Sequence, residues 1–358
     1  MTLRFKSFND FSHHFNFMKQ FLILLFFLFI SFSCVKDKPQ KFLKQEAVLS
    51  NENLVYVVNE GPFNRDNGSI SIYDPSTAVV VEDIYYQQNS SYLGNIVQSI
   101  NQINNEYCIC VNNSNKIIFC DKKFNKTHEI LGFVSPRYVQ KVSNSKAYVT
   151  DLYANLITVI NLNNYSKTNT IPCYGKSEKM VQFFNEVFVT NTDKEYLFVI
   201  NCVTDHITDS IYVGYNCYGI EIDQNDKIWA LSGGKSGVSN ARLSKINPLN
   251  HDIENSFVFP SYESPNYLCF NKTKDTLYYI NKNIFRMSIS DGGLPSTYLI
   301  PKGMRNFYGL GVNPNDYTIY VSDALDFNQK SNIYVYANNG NQITFFKTYI
   351  GSSSFYFN

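Results

Sequence analysis

Ala147-Tyr148-Val149-Thr150-Asp151 is a short β-branched run in which an aromatic residue is followed three positions later by a small polar one. The same step recurs as Tyr56 with Asn59, Phe188 with Asn191, Trp229 with Ser232, Tyr278 with Asn281 and Tyr320 with Asp323, and imperfectly as Ile109 with Asn112. From Asn59 to Asp323 the polar positions stand 53, 39, 40, 41, 49 and 42 residues apart. A period of roughly 40–50 residues with several strands per unit is the signature of a β-propeller.

Other strands arrange themselves around this one. A preceding strand is expected at Asn95–Ile100, Arg137–Val142, Lys179–Phe184, Tyr218–Ile222, Asn266–Phe270 and Phe307–Val312. A following strand is expected from Ser69–Tyr73 through Leu156–Ile160 to Ile333–Tyr336, then turn residues such as Asp74-Pro75 and Asn339-Gly340, then a fourth, outer strand. The first unit lacks an innermost strand, and Ser354-Phe355-Tyr356-Phe357 has no unit after it. Joining the two gives an all-β, seven-bladed propeller with four antiparallel strands per blade, closed when the C-terminal strand enters the N-terminal blade. Closure removes an unpaired edge that would invite aggregation. Aromatic residues make up 16% of the chain, with 27 Tyr and 29 Phe against one Trp. Large flat rings suit the wedge between twisted sheets, so the repeated aromatics are expected to pack between blades.

Outside the repeat, Phe21–Phe32 is an apolar run of 12 residues, preceded by Lys19 and closed by Ser31-Phe32-Ser33-Cys34. It is shorter than the ~20 residues of a spanning helix, and its charged, apolar and small regions read as a secretory signal. The expected organisation is a signal segment over 1–33 (Met18 is an alternative start), a tether over 34–52 and the propeller over 53–358. Cys34 stands where a bacterial lipobox acylates its cysteine, so the membrane would be met through a lipid anchor only. Losing residues 1–34 removes Arg4, Lys6 and Lys19 against Asp10 and leaves 28 basic and 29 acidic groups. That balance argues against a nucleic-acid partner.

Catalytic and metal signals are weak, and no cofactor is expected. His128, His206 and His251 fall near the starts of outer strands on separate blades. Gly233-Gly234-Lys235-Ser236 lacks the spacing and the helix of a phosphate loop. Asp323, Asp326 and Asn328 offer oxygens to calcium, but not at EF-hand spacing. Seven cysteines after Cys34 make an odd, scattered set rather than a disulfide framework; the one candidate bridge is Cys108 with Cys120, across a single hairpin.

Inner strands run down the axis and second strands return, so the repeated polar residues would ring one face. Candidate ligand-binding residues on that face are Asn59, Glu60, Asn64, Tyr92, Arg137, Tyr138, Asp151, Tyr153, Asn191, Phe307, Asp323 and Asp326, with Phe63, Tyr215, Tyr262 and Arg305 nearby. For the ring residues the competing reading is strand-end capping, since Asn, Asp and Ser bond local backbone in turns. Tyrosines among scattered Asn, Asp and Arg make a recognition surface.

Leu-Val-Tyr-Val-Val-Asn-Glu-Gly (54–61), Gly-Ser-Ile-Ser-Ile-Tyr-Asp-Pro (68–75), Ser-Pro-Arg-Tyr (135–138), Ala-Tyr-Val-Thr-Asp (147–151) and Ser-Asp-Ala-Leu-Asp-Phe (322–327) resemble the YncE-like surface propellers of Bacteroidetes. Some of that group, the BtuG type, are lipoproteins that capture cobalamin for a TonB-dependent transporter. The resemblance implies a non-enzymatic, surface-exposed outer-membrane lipoprotein. Its ligand would be a corrinoid and its partner a TonB-dependent outer-membrane receptor. The alternative is a protein-interaction propeller, a scaffold or lid of an outer-membrane complex.

Overall fold

Strands such as Val55–Asn59, Lys146–Asp151 and Ile319–Asp323 are buried along their length on both faces, with at most one end residue reaching solvent. A strand buried on both sides must lie in a sheet sandwiched between two others. A computed structural model describes residues 53–358 and shows that arrangement: seven antiparallel sheets form a ring. The expected signal segment, Cys34 and the tether lie outside the described residues.

The inner strands are Ser352–Phe357 in blade 1, then Val97–Ile103, Pro136–Lys141, Ser177–Phe183, Cys217–Ile222, Asn266–Phe270 and Phe307–Val312 in blades 2 to 7. Each touches the next around the axis, and the last of them touches the first. Closure is made as the sequence predicts: Val55–Asn59 pairs with Ser69–Asp74 on one side and with Ser352–Phe357 on the other. Two inner-strand glycines are required by this tight ring. A Cβ on Gly309 would sit 2.7 Å from the Ser353 carbonyl, and one on Gly219 would sit 2.6 Å from Leu268 Cβ.

Six blades hold four strands; in blade 6 an isolated bridge between Ile284 and Ile300 stands where the outer strand lies elsewhere. Gly292-Gly293, Pro295 and Pro301 fall in that segment, and proline cannot donate to a ladder. Blade 1 has an outer strand of only three residues, Val79–Val81, followed by a short helix, Ile84–Asn89, capped by Asp83. Six residues are too few to show helical periodicity, so the sequence pattern does not announce this helix. No helix of the described residues is long and apolar enough to cross a membrane.

The apolar clusters each join two neighbouring blades, and the repeated aromatics lie in them. Tyr148, Phe188, Trp229, Tyr278 and Tyr320 are buried there, with the indole of Trp229 donating to Asp223 Oδ2 at 2.8 Å. Between blades 1 and 2 the rings of Tyr56, Tyr107, Phe124 and Tyr356 pack together, and the Tyr107 and Tyr56 hydroxyls lie 2.9 Å apart. The described cysteines are all free. Cys108 and Cys120 lie on opposite faces of their hairpin, because Cys120 stands across from Tyr107 and Cys108 from Phe119; the one candidate bridge is therefore ruled out by register.

One polar clasp ties blade 5 to blade 4. His251 Nδ1 lies 2.7 Å from Asp209 Oδ2 and its Nε2 lies 3.0 Å from Glu186 Oε2. Burial works against the imidazolium, but the two carboxylates outweigh it and raise the pKa above the ordinary 6.5. A group raised on folding stabilises the protein fully below its unfolded pKa, and the contribution fades as pH climbs through the folded one. The gap in urea midpoint between the native chain and His251→Gln should thus be wide at pH 6 and small at pH 9.

Deleting Phe355 to Asn358 tests closure. It removes three part-buried rings and the ladder to Val55–Val57, on the order of 4 kcal/mol. The melting temperature followed by circular dichroism should fall by roughly 10 °C; an unchanged melt is incompatible with a ring locked by this strand.

Candidate functional site

Every inner strand breaks register near its start, at the end of the ring called here the upper face. Across from the ordinary ladder an extra residue appears: Gln98, Arg137, Glu178, Tyr218, Tyr267, Tyr308 and Ser353, one per blade. A bulge leaves its extra residue unpaired and re-aims its side chain. Here all seven line a central cavity of about 810 Å³ around the axis. That volume lies within the range of small-molecule sites, roughly 300–1,000 Å³.

The upper layer of the cavity is a charged and phenolic network. Arg137 Nε donates to Glu178 Oε2 at 2.9 Å, and its other arm bonds Gln98 Oε1. Tyr308 donates its hydroxyl hydrogen to Glu60 Oε2 at 2.9 Å. Burial raises the Glu60 pKa, while the Tyr308 hydrogen bond and the Arg137 charge hold it back. Burial also pushes the hydroxyls of Tyr138, Tyr267 and Tyr308 up, so they stay protonated and able to donate. Farther along, Glu221 faces Lys179 and Lys274; burial raises its pKa and the two ammoniums oppose that shift. Cavity charge is balanced, with Arg137, Lys179 and Lys274 against Glu60, Glu178 and Glu221. Such a site suits a polar ligand of little net charge.

Of the residues expected from sequence, Glu60, Arg137 and Tyr138 meet in this cavity. The ring residues lie beneath the face, buried, and most of their oxygens are committed. Asp151 Oδ2 accepts from the backbone N–H of Val134 and Ser135, each at 2.9 Å, and its Oδ1 from those of Tyr153 and Ala154. Asn191 accepts from Asp193 and Lys194, Asp323 from Asn306 and Leu325, and Asn59 from the Ser352 hydroxyl. Backbone capping accounts for Asp151, Asn191 and Asp323, because a buried strand end must satisfy its own backbone, whereas Asn59 is held by the hydroxyls of Ser69, Ser71 and Ser352.

Asn64, Tyr92, Tyr153 and Asp326 sit on exposed loops of the upper face, outside the cavity lining. Asp326 Oδ1 accepts from the N–H groups of Asn328 and Gln329, so this loop carboxylate is engaged by its own backbone. Phe307 is buried between blades 6 and 7. Sequence reasoning missed Gln98, Glu178, Tyr218, Tyr267 and Tyr308. The available signal was the position just after each inner strand begins, which is polar or aromatic in all seven units.

Arg137→Ala strands Glu178, which is 4% exposed, and should cost about 3 kcal/mol of unfolding free energy. Glu178→Ala should cost a similar amount. The double change should cost clearly less than the sum, read from urea denaturation as a double-mutant cycle.

Residues 53–357 match the model of a family described as a domain of unknown function (DUF5074). No curated protein matches the chain. Among solved structures it is similar to a quinoprotein alcohol dehydrogenase-like protein from Bacteroides thetaiotaomicron, at 14% identity and TM-score 0.68, covering 86% of this chain and 79% of that one. A functionally unknown protein from Desulfotomaculum acetoxidans is similar at 10% identity and TM-score 0.61, over 86% and 98% of the two chains. Hydrazine synthase from Kuenenia stuttgartiensis is similar at 13% identity and TM-score 0.56, over 70% and 86%. At such identities the likeness establishes the propeller fold alone.

Proposed function

We propose that this chain, which belongs to the DUF5074 family, is a non-enzymatic capture protein that binds a large polar ligand at the upper mouth of its central cavity. The observation that carries this reading is the set of seven bulges, which spends one ladder register per blade to aim a side chain at the axis. Four of those side chains (Gln98, Tyr218, Tyr267, Tyr308) combine hydrogen bonding with rigid contact area, as ligand-orienting groups do. Two of the cavity's charged groups are paired, Arg137 with Glu178, and Glu60 accepts from the Tyr308 hydroxyl, which suits recognition better than proton transfer or nucleophilic attack.

The ligand proposed is a corrinoid, on the strength of the sequence resemblance and of a cavity with no net formal charge. The same reading carries a lipid anchor at Cys34, an outer-membrane location and hand-over to a TonB-dependent receptor. A second reading, a protein-interaction propeller, draws on a different observation: Phe63, Tyr153, Tyr174, Tyr262 and Met304 are all well exposed on upper-face loops.

Calorimetric titration with cyanocobalamin separates the two. Capture predicts saturable binding at micromolar concentration, weakened at least about tenfold by Tyr218→Ala and by Tyr308→Phe. No heat and no thermal shift would end the corrinoid assignment. Recovery of an outer-membrane protein by a ligand-free chain, lost on Tyr153→Ala and Tyr262→Ala, would favour the second reading.

A further inference from the structure

Blade 6 departs from the repeat at two places, and both fall on one corner of the upper face. In the other six blades, loops of at least four residues join the second and third strands; in blade 6, Lys282 alone joins Asn281 to Asn283. The absent outer strand is the second departure. The segment that replaces it climbs back to the upper face and brings Lys302 there, its backbone N–H donating to Asn283 Oδ1 at 2.8 Å. Between blades 6 and 7 these departures leave a cavity of about 160 Å³, lined by Lys282, Lys302, Ser264, Asn266 and Asn306 among others.

Neither lysine makes an ion pair among the described residues. Glu263, on the loop beside Ser264, is engaged by Asn281 Nδ2 at 2.7 Å. Asn266 Oδ1 is buried without a hydrogen-bond partner, and the same amide turned over offers two N–H donors from that place. Two lysines without an ion-pair partner thus line one small polar cavity, and an anion bound there would find opposite charge close by. The space equals about five waters at ~30 Å³ each, enough for a phosphate or carboxylate group and too little for a macrocycle. Ser264 and Asn266 also line the central cavity, so the two spaces adjoin.

We propose that the cleft between blades 6 and 7 is an oxyanion subsite at the edge of the central cavity, taking a phosphate or carboxylate group carried by the captured ligand. The inference deepens the capture reading and rests on it for the ligand's identity, whereas anion binding by the cleft is measured independently.

The test titrates the native chain with inorganic phosphate and, separately, with acetate, at constant ionic strength set by chloride. Saturable binding of phosphate or acetate is expected. The Lys282→Gln/Lys302→Gln pair should weaken it at least about tenfold, and the Lys282→Arg/Lys302→Arg pair should keep it within about threefold. Tighter binding of phosphate than of acetate assigns a phosphate group; the reverse order assigns a carboxylate. Should the double glutamine variant fail to fold, Lys282→Gln alone, on an exposed turn, serves with an expected loss of about fivefold. Binding unchanged in the glutamine variants, or no saturable binding of either ion by the native chain, overturns the proposal. Loss of cyanocobalamin binding with phosphate binding intact would strike the capture reading and leave the cleft assignment standing.

Discussion

Everything in this molecule depends on backbone pairing between two segments almost three hundred residues apart. Ser352–Phe357 fills the place beside Val55–Asn59 that no earlier segment fills. With it in place the inner strands form an unbroken circle, and the close approach at Gly309 becomes possible. The same strand supplies Ser353 to the cavity wall, and Ser352 supplies the hydroxyl that occupies Asn59. One strand thus closes the ring, satisfies a buried amide and completes the cavity. Ring closure covers the edge that Val55–Asn59 would otherwise expose, and here it also completes the cavity wall.

The blade repeat is legible in sequence because it records a packing demand that each unit meets alone. Tyr148 or Phe188 must fill a wedge between sheets, and Asp151 or Asn191 must satisfy the backbone at the strand end. Both demands fix residue type at a fixed offset, so they recur every forty residues or so. The bulges are different. A bulge is a relation between two strands, and nothing in Ser177-Glu178-Lys179-Met180 taken singly says that Ser177 opposes Asn191 while Met180 opposes Val189. Glu178 and Tyr218 are therefore hidden in the sequence, whereas Arg137 and Glu60 stand beside polar loop residues that mark the face. The ring of Asn and Asp that looks like a binding rim on paper lies buried beneath the face, with oxygens bonded within the protein. Capping and recognition draw on the same residue types, and burial is what distinguishes them.

Charge placement gives the cavity its character. Arg137 is held between Glu178 and Gln98, and Glu60 is held by Tyr308, so the upper layer of the wall presents fixed, hydrogen-bonded charges, and the cavity as a whole carries no net formal charge. A wall without net charge exerts little long-range steering on a charged molecule. The exposed aromatic residues on the surrounding loops extend the contact area without altering that balance.

The order in which the polypeptide emerges during synthesis has a bearing on how it acquires its final form. Six blades can assemble as residues 97–350 appear, but the first stays one strand short until residue 357 is available. Until then the molecule is a horseshoe with two sticky rims, one at Val55–Asn59 and one at Phe307–Val312. Joining sequence-distant ends is slow relative to local hairpin formation. Chaperones that shield such rims from neighbouring chains would act in that interval, and slower translation near the end of the message would lengthen it.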